Sequence, residues 1–106
     1  MQYIPRGVKE QAKLWQAIEN LKPLLGDDVV RLKYDVEDDW SGKPALFFKV
    51  VLSDEASRRD RLHPSARRVS DLLDDRLDPI HEWELFSYYS FRSKSEHDEI
   101  KDPNWA

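Results

Sequence analysis

Apolar residues Leu14, Ile18, Leu21 and Leu25 recur at helical spacing, with Val8 and Trp15 beside the stripe, which predicts one amphipathic helix from Val8 to Leu25. Pro23 cannot donate to the carbonyl of Glu19 and biases Lys22 away from helical angles. A break or a tighter final turn is therefore expected before Gly26 stops the segment. Val30, Leu32, Tyr34 and Val36 then alternate with Arg31, Lys33 and Asp35, the period of a strand with one wet face. After a polar connection, Glu37 to Pro44, the run Ala45 to Leu52 is almost wholly apolar and reads as a central strand buried on both faces. These two strands should pair as an antiparallel hairpin.

The charged stretch Asp54 to His63 breaks every periodicity. Pro64 opens a second predicted helix, whose stripe is Ala66, Val69, Leu73, Leu77 and Ile80 and which Asp78-Pro79 should end. A third strand places Trp83, Leu85, Tyr89 and Phe91 on one side, with Phe86 and Tyr88 opposite. The order helix, strand, strand, helix, strand predicts an α+β fold, a two-layer sandwich with two helices on one face of a three-stranded sheet. If the second helix links strands two and three in parallel, the crossover should be right-handed. The expected core is Leu14, Ile18, Leu21, Leu32, Tyr34, Leu46, Phe48, Val50, Leu52, Val69, Leu73, Leu77, Leu85 and Phe91. Residues 1–94 read as one domain and 95–106 as a tail, with one short turn begun by Ser95 and an isolated Trp105.

Composition narrows the function classes. A chain of 106 residues can hold a core without a structural staple, and the absence of cysteine removes thiolate metal sites, redox switching and cysteine nucleophiles. No apolar run approaches the roughly 18 residues of a membrane span. The start, Met1-Gln2-Tyr3-Ile4-Pro5, lacks a charged segment leading into an apolar one, so a cytoplasmic protein is expected. A net charge of −4 argues against wholesale coating of nucleic acid.

Candidate chemistry is sparse. Asp35, Glu37, Asp38 and Asp39 crowd one loop, but Trp40 stands where a calcium loop needs its sharp-turn glycine, and a solvated turn explains them better. His63, His81 and His97 are scattered and lack the spacing of a helical metal site. With Gly7, Gly26 and Gly42 the only glycines, neither a nucleophile elbow nor a phosphate-cradling loop can be built. Arg58 and His63 have the spacing of the HEPN ribonuclease active site, but those enzymes are helical bundles and this chain has three strands. Neither catalytic residues, a metal nor a cofactor is expected.

Two surface features remain. Arg58, Arg59, Arg61, Arg67 and Arg68 could grip phosphates, with third-strand aromatics as a stacking surface, although Asp54, Glu55 and Asp60 dilute them and the Gly-x-x-Gly loop of a KH domain is missing. Asp71, Asp74, Asp75 and Asp78 form one acidic stripe on the second helix behind Arg67 and Arg68. Charge is thus arranged against the helix dipole, at about 0.3–1 kcal/mol for each exposed misplacement, while a pair such as Arg67 with Asp71 recovers only about 0.2–0.5 kcal/mol. A basic protein surface is the partner such a stripe suits. Either a local bulge brings Phe86 and Tyr88 onto the covered face or, the favoured reading, they join Phe47 on the uncovered side of the sheet as a second contact surface, for another protein or a second copy, unless Ile100 and Trp105 fold back over them.

The string from Asp39 to Ala56, DWSGKPALFFKVVLSDEA, with Phe91 to Glu96, FRSKSE, resembles a family of small bacterial proteins of uncharacterised activity. The likeness spans roughly the last two thirds of the chain. It implies a toxin–antitoxin or similar two-gene arrangement, in which such proteins are encoded beside HEPN-like helical partners. The resulting expectation is a non-enzymatic protein-binding component, antitoxin-like or a regulatory subunit. An RNA-binding module using the Arg58–Arg68 loop is the alternative and a small hydrolase the third.

Overall fold

The computed structural model describes residues 3–105, so Met1, Gln2 and Ala106 at the outer ends of the two expected stretches lie outside the described residues. The protein is α+β: helices surround a three-stranded mixed sheet in the order β1-β2-β3. Strand β1 (Val29–Asp38) runs antiparallel to β2 (Pro44–Leu52), and β3 (Phe86–Ser93) lies parallel to β2 on its other side. The expected hairpin is present, and Gly42, at φ 80°, makes its turn.

The helical complement is richer than the two predicted helices. Among the described residues the helices are α1 (Arg6–Lys9), α2 (Gln11–Leu21), α3 (Leu62–Leu77), α4 (Pro79–Trp83) and α5 (Lys94–Ile100). Short 3-10 turns cover Lys22–Leu25 and Pro103–Trp105. The first of these is the tighter turn expected at Pro23, where the missing N–H cannot continue the α ladder.

The helix expected to run unbroken from Val8 is split at Glu10, which adopts φ −114° and ψ 45°. The cause is tertiary. A Cβ on Gly7 would stand 2.4 Å from Leu85 Cδ1 and 3.1 Å from the Trp83 carbonyl, so α1 lies hard against the α4–β3 link. Arg6 fastens it there, its guanidinium 4.5 Å from the Trp83 ring centroid and donating to the Glu82 carbonyl at 3.0 Å. Arg6 Nε also meets Glu10 Oε2 at 2.5 Å, across the break.

Three further expectations change. Helix α3 begins at Leu62, two residues before Pro64, and its buried stripe is Ser65, Val69, Leu73 and Leu77. Ile80, counted into that stripe, is 55% exposed, because Asp78 turns left-handed (φ 50°) and resets the helical phase before α4. Trp83 and Leu85 are buried but precede the strand: they sit in α4 and its link, with Glu84 left-handed, and β3 starts at Phe86.

Leu14 and Ile18 of α2 and Val69, Leu73 and Leu77 of α3 join Leu32, Leu46, Phe48, Val50 and Leu52 of the sheet in one buried cluster. Leu21, Tyr34 and Phe91 pack against it while partly exposed, a shallower placement than expected. Val50 is fully buried in the middle of β2. An unpaired carboxylate there costs several kcal/mol against a total stability of about 5–15 kcal/mol, so Val50→Asp should abolish cooperative melting in a thermal scan. Gly7→Ala should destabilise by about 1–3 kcal/mol in urea titration, since the new methyl must push Leu85 and the Trp83 carbonyl.

Candidate protein-binding surface

Side chains alternate across a strand, so the pairing register sorts the face opposite the core into rows. The row nearest the hairpin turn is Glu37, Ala45 and Phe86, and the next is Asp35, Phe47 and Tyr88. Then come Lys33, Lys49 and Ser90, and last Arg31, Val51 and Arg92. One half of the face is therefore aromatic and acidic, and the other cationic.

The cationic half is roofed. Lys33 and Lys49 face each other across the strands, a like-charge pair that is unfavourable alone. Both donate to the Asn104 carbonyl, at 3.0 and 2.9 Å. The Arg92 guanidinium lies 4.4 Å from the Trp105 ring centroid and 3.4 Å from Asp102 Oδ2. Trp105 is 6% exposed, and Val51, on the same face, 1%. The segment is aimed from its base: the Ser93 hydroxyl and Glu96 carboxylate cap α5 reciprocally, and Ser95 donates through its N–H and hydroxyl to Asp54 at 3.0 and 2.7 Å. Trp105 thus does fold back onto the sheet, but over Arg92 and not over Phe86 and Tyr88, while Ile100 stays 53% exposed.

The other half is open. Phe86 is 57% exposed, and the Phe47 and Tyr88 rings, half-buried, stack with centroids 5.2 Å apart. Trp40 of the hairpin turn, 85% exposed, meets Tyr88 edge-on at 5.4 Å. The Asp39 carboxylate shapes that turn by accepting from Ser41 N at 2.8 Å and from the Ser41 hydroxyl at 2.5 Å, and it also accepts from the Tyr88 hydroxyl at 3.2 Å. Partial burial, with the Asp39 charge adding, pushes the Tyr88 pKa up, while the Ser41 hydroxyl leads in holding Asp39 below the usual carboxylate range. Trp40 is the member that sequence reasoning missed, because a loop residue carries no strand parity.

The acidic stripe lies on α3 and meets the core-facing side of β3, through Ser87 and Tyr89, and its members differ in role. Asp74 accepts from the Ser87 hydroxyl at 2.9 Å and the Tyr89 hydroxyl at 2.5 Å, so it ties α3 to β3. Burial, followed by the Asp74 hydrogen bond, raises the Tyr89 pKa. Asp78 is the left-handed link residue and contacts His81 Nδ1 at 2.9 Å. Asp71 lies 3.6 Å from Arg67, and Asp75 is exposed. Asp71, Asp74 and Asp75 line a shallow depression with Leu72 and Arg76.

The arginine loop is placed elsewhere. Arg61 meets Asp28 and Glu55 at 3.5 and 3.4 Å, and Arg68 donates to the Leu25 carbonyl at 2.9 Å and reaches Asp28 at 3.4 Å. Arg58 lies 3.5 Å from Asp60, while Arg59 lines a depression with His63 and Phe91. The loop follows Leu52, five residues or about 17 Å at strand rise beyond Phe47, and no contact joins these arginines to Phe86 or Tyr88 among the described residues.

Such a surface defines a class by shape alone: a small α+β protein whose sheet has one half-face covered by its own C-terminal segment and the other left aromatic and bare. No family model matches the chain, and neither a curated protein nor a solved structure does. Among the described residues no helix is long and apolar enough to cross a membrane.

The roof should loosen in acid. The Asn104 N–H, at 2.9 Å, leads in holding the Asp102 carboxyl below its ordinary 3.8, with Arg92 adding. A depressed folded-state pKa contributes stability that is complete above the unfolded value and is lost as pH falls through the folded one. NMR of the Trp105 indole should therefore show the segment loosening as pH falls below the ordinary 3.8 of Asp102, and Asp102→Asn should weaken that pH dependence and leave the part contributed by Asp54, which Ser95 also holds low.

Proposed function

We propose that this protein is a non-enzymatic binding component, antitoxin-like or a regulatory subunit of a two-gene bacterial system, and that it meets its partner through the open half of the sheet face and the acidic stripe of α3. The long helices share the core face in this reading, a two-layer sandwich, so the opposite face is free for contact. The observation that carries it is the aromatic group made by exposed Trp40 and Phe86 with half-buried Phe47 and Tyr88. Aromatic side chains are enriched at interface centres and supply large area at low entropic cost. Phe86 at 57% exposure contributes little to the core, so its size and position are hard to explain by folding alone. The two-gene setting is taken over from the expectation attached to residues 39–56 and 91–96.

Co-expression with the product of the adjacent gene, followed by affinity capture and sedimentation, tests the proposal. A complex is expected that Tyr88→Ala weakens by at least tenfold, in keeping with an anchor worth about 2 kcal/mol. Phe86→Ala should weaken it too while leaving the melting temperature within a few degrees of the parent, because that ring is mostly in solvent. A chain that stays monomeric and ignores the adjacent product, with or without the residues after Ser95, would overturn the reading.

A further inference from the structure

We infer that the occupant of the open half-face is a cationic segment of a different protein, docking an arginine side chain against Trp40, Tyr88 and Phe47 with its charge met by Asp35 and Glu37. The inference rests on the binding role proposed above and adds the chemistry of the partner.

Composition of the rows carries it. Asp35 sits directly across from Phe47, and Phe47 across from Tyr88, so a carboxylate and two stacked rings share one line on one face. Glu37 opens the next line, which ends on Phe86. Asp35 contacts only the neighbouring Val36 N–H, and Glu37 makes neither a hydrogen bond nor an ion pair among the described residues. The cations that could have answered them, Lys33 and Lys49, are turned to the Asn104 carbonyl.

An apolar partner laid on the rings would strip water from two carboxylates and give nothing back, which is costly. A guanidinium fits both demands: its plane stacks on aromatic faces and its N–H groups pair with carboxylates. The chain already uses that contact twice, Arg6 on Trp83 and Arg92 on Trp105. In the hairpin Asp38 adds a charge of the same sign, against a single Lys43.

Other occupants meet that field badly. A second copy related by a two-fold axis would bring the same carboxylates against these, and nucleic acid or an anionic lipid surface would bring phosphates. A basic segment of another protein is the occupant the charges select.

The test uses the full chain and three blocked synthetic peptides that alternate leucine with arginine, with citrulline or with glutamate. Binding is read by NMR at the Trp40 indole and the Tyr88 ring, with the Trp105 indole as an internal control. The arginine peptide should shift Trp40 and Tyr88 but leave Trp105 in place, and bind at least tenfold more tightly than the citrulline peptide. Asp35→Asn with Glu37→Gln should erase that preference and flatten the salt dependence, and both side chains are exposed, so the fold tolerates the change.

Equal binding of the arginine and citrulline peptides would overturn the cationic occupant while leaving the aromatic surface as the contact site. Preference for the glutamate peptide, with Trp105 displaced, would place the site on Lys33, Lys49 and Arg92 and overturn the inference. Self-association lost in Tyr88→Ala would make the occupant a second copy, and silence of all three peptides would also overturn it. The binding role itself fails separately, if Tyr88→Ala leaves capture of the adjacent gene product unchanged.

Discussion

Strand β2 carries apolar side chains in both directions, and its need for cover on both faces is the constraint from which the rest of the arrangement follows. Leu46, Phe48, Val50 and Leu52 look into the core shared with α2 and α3, while Ala45 and Val51 look the other way and are just as dry. The first set shares its buried cluster with residues of α2 and α3. The second relies on neighbouring strands and on a short segment that carries Trp105. Two unlike devices thus cover the sheet, an apolar cluster on one side and, over half of the other, a small polar clasp in which charged groups hold an aromatic ring.

That clasp also reconciles a conflict within the sheet. Two lysines in register repel, and a backbone carbonyl delivered between them satisfies both without introducing a further charge. The opposite face is divided accordingly: the Trp105 segment meets the rows of Lys33, Lys49 and Arg92, and the rows of Asp35 and Glu37 lie outside those contacts.

Much of this was legible along the chain, and the rest was hidden for identifiable reasons. Period-two alternation located β1 and β2, and the unbroken apolar run marked β2 as central. Parity placed Phe47, Phe86 and Tyr88 on one side together, where the register confirms Phe47 beside Tyr88. What failed was whatever depended on contacts far apart in sequence. Glu10 interrupts the first helix because Gly7 must approach Leu85, and no local residue announces it. Trp83 and Leu85 have strand parity yet lie in a helix and its link, since Asp78 and Glu84 turn left-handed on either side. Trp105 is buried through an arginine remote from it in sequence. The Ser93-x-x-Glu96 capping box, by contrast, was written in the sequence and would have shown that the last segment starts with a real helix.

The parallel pairing of β2 with β3 has a consequence for the order in which the surface comes into being. Strands β1 and β2 are joined by a tight turn and can zip locally, but Tyr88 reaches Phe47 only after the chain has passed through a loop, α3 and α4. Closing that long excursion is slow compared with closing the hairpin. The Phe47–Tyr88 stack is therefore expected to form after the hairpin that sets Asp35 beside Phe47, so a half-made chain offers Trp40, Asp35 and Phe47 but not the finished platform. A ligand that required all of the rows at once would meet them only in the completed fold.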